Sequence, residues 1–316
     1  MNIRKLVKSG LSSYTVALPK DWIDKNHLKK GDMIYITETP DNELSIKLDP
    51  NNKEQIRTEV VINIDGKSGH SIYREIVSVY LTEFQRFIIK GTNIHKQIKE
   101  IKKIVSSLPA LEVVEESLTK VVARSFLDVH NISIKDLIRR IDNIVRAMLL
   151  DLQSLIKREI THDVIIERDE EVNRLSFLVF KILKSAFHHP DVMKSLDLTD
   201  LEAVSHWQLV FHLEKMGDET KRIARNIGEN PKSINKKQLQ SLIDTMYKGY
   251  TNCLTLFYKK DLNGSDNFSA NRKKIFIECD KYFITNRNIV NSEISGKFKG
   301  MTSHLIDITK LVRFLP

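Results

Sequence analysis

The feature that most constrains this chain is a helical apolar period that recurs, with interruptions, from residue 132 to the end. Ile134, Leu137, Ile138, Ile141, Val145, Met148, Leu149, Leu152 and Ile156 return every three or four residues and so share one helix face. A helix of that length with one apolar face buries it only against other helices, so this half of the chain is expected to be a bundle. The spacing predicts further helices at about 163–187, 199–229, 235–260, 268–291 and 296–315. Breaks are expected at His188-His189-Pro190, from Gly228 to Pro231, at Asn263-Gly264-Ser265 and near Gly296. Thr199 with Glu202 three residues on is a capping-box signature. Six helices imply two three-helix units, an internal repeat.

Ahead of the bundle the period changes. Residues 1–50 alternate short β-type runs with turns. Ile3–Val7 and Tyr14–Leu18 flank a Ser-Gly-Leu-Ser-Ser turn, Lys20–Lys25 follows Pro19 as a helical turn, and Met33–Glu38 with Leu44–Leu48 form a hairpin across Thr39–Glu43. So few short strands bury little core, which predicts a dimer. Residues 57–126 read as a small α/β segment, with strands at Val60–Ile64, Phe84–Ile89, Leu111–Val114 and Val121–Phe126. Its helices fall at Ser71–Thr82, with Ile72, Ile76, Val79 and Tyr80 on one face, and at Ile94–Ser107, stopped by Pro109. The segment 50–55, Pro-Asn-Asn-Lys-Glu-Gln, is the expected linker, and residues 132–316 are the bundle. The fold class is therefore multidomain α+β.

Charge narrows the function. The 316 residues carry a formal net charge of +9. Residues 1–31 hold seven Lys/Arg (Arg4, Lys5, Lys8, Lys20, Lys25, Lys29, Lys30) against Asp21 and Asp24, whereas Asp32, Glu38, Asp41, Glu43 and Asp49 face only Lys47 in residues 32–50. Positive charge segregated at one end of a small domain points to a polyanion. No apolar run approaches the roughly 20 residues that span a bilayer, the start MNIRKLVKSG has no signal-peptide core, and Cys253 and Cys279 lack metal-type spacing. A reducing cytoplasm is expected. Enzyme signatures are weak. Gly-rich phosphate loops are absent, His188-His189 falls in a loop, and only Glu159 and His162 have the Glu-x-x-His spacing of di-iron bundles.

The run from Arg4 to Ile36, with Leu18-Pro19-Lys20 followed by Trp22 and then Leu28-Lys29-Lys30-Gly31-Asp32, resembles the AbrB/SpoVT family of swapped-hairpin transcription factors. The resemblance implies two chains exchanging hairpins into one small barrel, with a basic first strand and first turn facing DNA. On it, Arg4, Lys5, Lys8 and Lys20 would contact phosphates and Ser12 and Ser13 would add hydrogen bonds. Such contacts give affinity but little sequence reading.

The runs IERDEEVNRLSFLV (166–179) and LEKMGDETKRIARNI (213–227) resemble PhoU-domain proteins, and together with the hairpin they resemble an archaeal class of phosphate-uptake regulators. PhoU proteins can bind iron or zinc through carboxylates spaced i, i+4 on adjacent helices. Here Glu214 and Asp218 have that spacing, and Glu167 and Asp169 lie on the facing helix. Asn173 and Ser176 supply no charge, and pairing of the carboxylates with Arg174, Lys221 or Arg222 is the alternative. In the second repeat Asp307 matches Asp218, Ser303 replaces Glu214, and Asn267 with Asn271 matches Asp169 with Asn173. The expected function is a DNA-binding regulator of phosphate uptake, not an enzyme, whose bundle senses a signal or docks on a phosphate-transporter ATPase or signalling partner. The rival is a PhoU-like adaptor that uses the hairpin only to dimerise.

Overall fold

The computed structural model describes residues 3–10, 12–38, 44–48, 59–129 and 132–315, and the chain divides into two compact units, Met1–Ile56 and Arg57–Pro316. In the first, β1 (Val7–Ser9) pairs antiparallel with β2 (Ser13–Thr15), Val7 opposite Thr15 and Ser9 opposite Ser13. Gly10 in their turn has φ +81°, a region where a Cβ is costly. Helix α1 (Lys20–Lys25) begins directly after Pro19, whose fixed φ of −60° suits a helix entry. The following loop closes locally: the Lys29 amide donates to the Asp32 carboxylate at 2.7 Å and the Asp32 amide donates to the Lys29 carbonyl. Strand β3 (Tyr35–Glu38) pairs antiparallel with β4 (Leu44–Lys47).

The strands are shorter than the sequence expectation, slightly at the second hairpin, where they start at Tyr35 rather than Met33 and end at Lys47 rather than Leu48, and more at the first. The first strand starts at Val7 rather than Ile3, and the second ends at Thr15 rather than Leu18. Apolar residues at 3, 6, 16 and 18 satisfy a strand pattern, but among the described residues no strand of this chain pairs with them. The expected turn across Thr39–Glu43 and the linker 50–55 lie outside the described residues.

The second unit opens with a four-stranded sheet in the order β5-β6-β8-β7. Its elements run β5 (Glu59–Asn63), α2 (Gly69–Tyr80), β6 (Arg86–Lys90), α3 (Ile98–Ser106), β7 (Leu111–Glu116) and β8 (Lys120–Ser125). Strands β5 and β6 are parallel, joined through α2, and the other pairs are antiparallel. Alternation places Ile62, Ile64, Phe87, Ile89, Val121 and Ala123 in a core with Ile72, Ile76 and Tyr80 of α2 and Ile101 of α3. The opposite face carries ion pairs, Arg86 with Glu59 and Lys120 with Glu115, beside the exposed Val61.

The bundle comprises α4 (Ile134–Lys157), α5 (His162–His188), a short α6 (Pro190–Ser195), α7 (Asp200–Glu229), α8 (Lys236–Lys259), α9 (Leu262–Ala270), α10 (Lys273–Thr285) and α11 (Ile289–Leu311). One continuous apolar core runs through it. The capping box forms as read: the Thr199 hydroxyl accepts from the Glu202 amide and the Glu202 carboxylate accepts from the Thr199 amide. The last third departs from the expectation. Asn263-Gly264-Ser265 lies inside α9, capped by Asp261, and the break falls at Asn271–Arg272 instead. Gly296 lies inside α11, which begins at Ile289 because the Asn288 side chain accepts from the Asn291 amide. Capping chemistry outweighs the glycine signals, since glycine in a helix costs only about 1 kcal/mol.

A buried carboxylate ties α4 to α8. Asp142, 4% exposed, accepts from Nε and Nη2 of Arg146 at 2.8 and 3.1 Å and from the hydroxyls of Tyr250 and Tyr258 at 2.8 and 3.1 Å. Asp142→Asn turns an acceptor-only group into one that presents N–H to these donors. It is expected to cost about 2 kcal/mol, the range for hydrogen bonds to charged groups. An unchanged urea midpoint would remove the network from the stability account.

The α/β segment packs on α5. The Phe177 ring reaches its core, and the buried Lys181 ammonium donates to the carbonyls of Tyr80 and Thr82 at 2.6 and 3.0 Å, where α2 ends, while lying 4.6 Å from the Tyr80 ring centroid. The negative end of the α2 dipole faces this charge. Burial pulls the Lys181 pKa from 10.5 down to about 8, against the raising field of Glu83. Between those values the unfolded chain binds one more proton than the native protein, so stability rises with pH across that window. Lys181→Met should therefore flatten the stability–pH curve from pH 8.5 to 9.5 by up to roughly 1.4 kcal/mol per pH unit. Parallel curves for the two proteins in chemical denaturation would refute this.

Candidate functional site

The first candidate site is the basic edge of the hairpin unit. Arg4 and Lys5 precede β1, Lys8 lies on β1 opposite Tyr14, Ser12 and Ser13 lie at the turn, and Lys20 is the first residue of α1; all six are exposed. Among the described residues no carboxylate pairs with Arg4, Lys5, Lys8 or Lys20. The Ser13 hydroxyl donates to the Ser9 carbonyl, so part of its hydrogen-bonding capacity is used within the turn. In the same unit Ile3, Leu6, Val7, Tyr14, Val16, Met33, Ile36 and Leu44 are exposed apolar side chains. Apolar residues exposed on strands this short mark a candidate interaction surface.

The second candidate site is the carboxylate cluster of the bundle. Asp169 of α5 is 2% exposed and faces Asp218 of α7, and the Lys221 ammonium, also on α7, donates to both, at 2.7 Å to Asp218. Lys215 pairs with Glu214 at 2.9 Å and lies 3.7 Å from Asp218. Burial pushes the Asp169 carboxyl up, and the hydrogen bond and charge of Lys221 offset this only in part. Burial also acts on Asp218, but there the Lys221 hydrogen bond and the charges of Lys221, Lys215 and Arg222 prevail and lower its pKa. Glu214 is raised by burial. Tyr73 of α2 lies within the field of Glu214, Lys221 and Asp169, and burial first, then those carboxylates, raise its hydroxyl.

The structure gathers Asp169, Glu214 and Asp218 but leaves Glu167 exposed on another face of α5, since residues two apart on a helix do not face the same way. Arg174 is exposed and pairs with no carboxylate among the described residues, whereas Lys221 does and Arg222 approaches Asp218 at 3.9 Å. One atom argues for a cation here: Asp169 Oδ1 is buried without a hydrogen-bond partner. The rest argues against one. The Asn173 amide donates to Asp169 Oδ2, the three carboxylates already pair with the ammonium groups of Lys215 and Lys221 and, at 3.9 Å, with the Arg222 guanidinium, and no group of three or more His, Cys, Asp or Glu among the described residues is arranged to hold a metal ion. This donor set does not fit iron or zinc, because a multivalent cation needs several uncommitted anionic oxygens to offset its dehydration.

The second repeat offers less. Asn271 sits at the α9–α10 break, its side chain donating to the Asn267 carbonyl, Asp266 pairs with Arg313 and Asp307 with Lys310. A polar pair absent from the sequence reading joins α7 to α11, His212 Nδ1 lying 3.1 Å from His304 Nδ1. Burial lowers both pKa values, and the field of His304 adds to the lowering at His212. No motif marks this pair, because its partners are 92 residues apart. Cys253 and Cys279 are buried free thiols raised by burial, Cys279 to about 12, and Cys253 Sγ donates to the Leu305 carbonyl. Neither is set up as a nucleophile.

A hairpin unit with an unpaired basic edge, followed by an α/β segment and a long-helix bundle, defines a multidomain α+β protein with separate hairpin and helical modules. Residues 7–55 match the family model for antidote-toxin recognition MazE, a bacterial antitoxin, and residues 138–227 match the PhoU domain. The chain thus carries a MazE/AbrB-type domain at its N-terminus and a PhoU domain in its bundle, and both are regulatory rather than enzyme families. No curated protein and no solved structure matches it. The PhoU match ends at Ile227, near the end of α7, so it covers the continuous helices α4, α5 and α7 and stops before the part broken into α9 and α10. No described helix is long and apolar enough to cross a membrane.

Proposed function

We propose that this chain is a cytoplasmic, non-enzymatic transcriptional regulator of phosphate uptake that binds DNA as a homodimer through its hairpin unit. The observation that carries the reading is the pairing of uncompensated cations at Arg4, Lys5, Lys8 and Lys20 with exposed apolar strand residues on the same small unit. The apolar residues call for a second copy, and two copies double the phosphate contacts. The PhoU match supports phosphate as the regulated quantity, with the bundle as sensor or as the dock for a transporter ATPase or signalling protein. The adaptor reading keeps the PhoU dock and drops the DNA.

A genome-wide binding map of the tagged full-length protein, with salt-dependent binding of recovered fragments in vitro, tests this. Enrichment upstream of phosphate-transport genes is expected, with affinity falling steeply as salt rises. Absence of DNA binding at low salt, with capture of a transporter component instead, would establish the adaptor. A monomer in solution would defeat the homodimer.

A further inference from the structure

We propose that a cavity at one end of the bundle binds a small amphipathic monoanion, a carboxylate with a short apolar tail. The cavity, about 230 Å³, lies where α4 ends, α5 begins, α7 ends and α8 begins. Its inner wall is apolar, built by the buried Leu155, Ile156 and Ile227 with Ile234. Its charged lining is entirely basic or imidazole: Arg158, Lys236 and His162 contribute, and no acidic residue does.

Two observations separate this cavity from an ordinary packing gap. First, the side chains of Arg158 and Lys236, both beside its apolar wall, have no hydrogen-bond or ion-pair partner among the described residues. Second, a Cβ on Gly228 would stand 2.5 Å from His162 Nδ1, so glycine at this position is what allows the ring to form part of the wall.

An apolar wall with an unpaired cationic mouth selects for both ends of a ligand. The tail gains about 25 cal/mol for each Å² removed from water, and the carboxylate gains charge-assisted hydrogen bonds. Inorganic phosphate offers nothing for the wall to bury, and an alkylamine meets like charge. The cavity is smaller than the roughly 300–1,000 Å³ of sites for drug-sized ligands, so the tail is short. Such a ligand would give the bundle an input independent of the hairpin unit, and its binding is measured without DNA, so this proposal and the DNA-binding reading fail separately.

Calorimetric titration of octanoate into the full-length protein tests it, with octanol, octylamine and inorganic phosphate as comparators. Saturable octanoate binding is expected, at least ten-fold tighter than any comparator. Arg158→Asn with Lys236→Gln should weaken it about ten-fold or more; both side chains are exposed, and Asn tolerates the left-handed backbone at Arg158. Ile227→Trp, which fills the cavity, should abolish it. No octanoate binding, equal binding of octanol, tighter binding of phosphate, or unchanged affinity in the folded double variant would each overturn the proposal.

Discussion

Lys221→Met is expected to destabilise the bundle by about 3–5 kcal/mol at pH 7, the cost of leaving a buried charge without its partner. Asp169 loses the ammonium that bonds its Oδ2, while Oδ1 already has no partner, so only the Asn173 amide remains. Asp218, at the opposite side of that ammonium, becomes a second unneutralised carboxylate beside it, with Lys215 and Arg222 further off at 3.7 and 3.9 Å. The pH dependence gives the prediction its sign. Burial already raises the Asp169 carboxyl, and removal of Lys221 raises it further. An acid whose pKa is higher folded than unfolded binds more protons in the native state, so stability falls as pH rises between the two values. The deficit of the variant should therefore shrink from pH 7 to pH 5. Lys221→Arg, which keeps the charge, should recover part of it. Urea midpoints for the three proteins at both pH values decide the matter, and a deficit that is small or grows at pH 5 removes Lys221 as the counter-ion.

Replacing Arg4, Lys5, Lys8 and Lys20 together by Ala is expected to lower the slope of log affinity against log salt by about 3.6 per chain, at roughly 0.9 for each phosphate that the variant no longer neutralises. All four side chains are exposed and free of ion pairs among the described residues, so the substitution removes charge without opening a core. Binding should weaken evenly on all sequences, because phosphate contacts position the protein without reading bases. Ser12→Ala and Ser13→Ala should leave the slope unchanged, since they remove no charge. An unchanged slope in the quadruple variant, with the fold intact, would move the DNA-facing surface elsewhere.

How much of this is legible in sequence differs by element. The apolar stripe of α4, the capping box at Thr199 and Glu202, and the alternation of β5, β6 and β8 are local patterns, and each forms where its residues say it should. Helices α9 and α11 run through Gly264 and Gly296 because the Asp261 and Asn288 caps start them ahead of those glycines, although both caps are local and open to reading. The first hairpin is shorter than its pattern because a strand pattern says nothing about whether a partner strand lies within reach.

At the carboxylate cluster the sequence supplies Asp169, Glu214 and Asp218 and names Lys221 among their alternative partners, because i, i+3 and i+4 spacings fix which residues share a helix face. It misplaces Glu167, whose position two residues from Asp169 turns it away. The sequence by itself determined the periods, the caps, the segregation of charge and the two family resemblances, all of which depend on neighbours a few residues apart. The tertiary structure alone decided that the Lys221 ammonium bridges Asp169 and Asp218, that Lys181 caps α2 from about 100 residues away, that four donors converge on Asp142, and that two unpaired cations line an apolar cavity. These are balances of desolvation against charge, and desolvation depends on which surfaces pack together, which no spacing along the chain records.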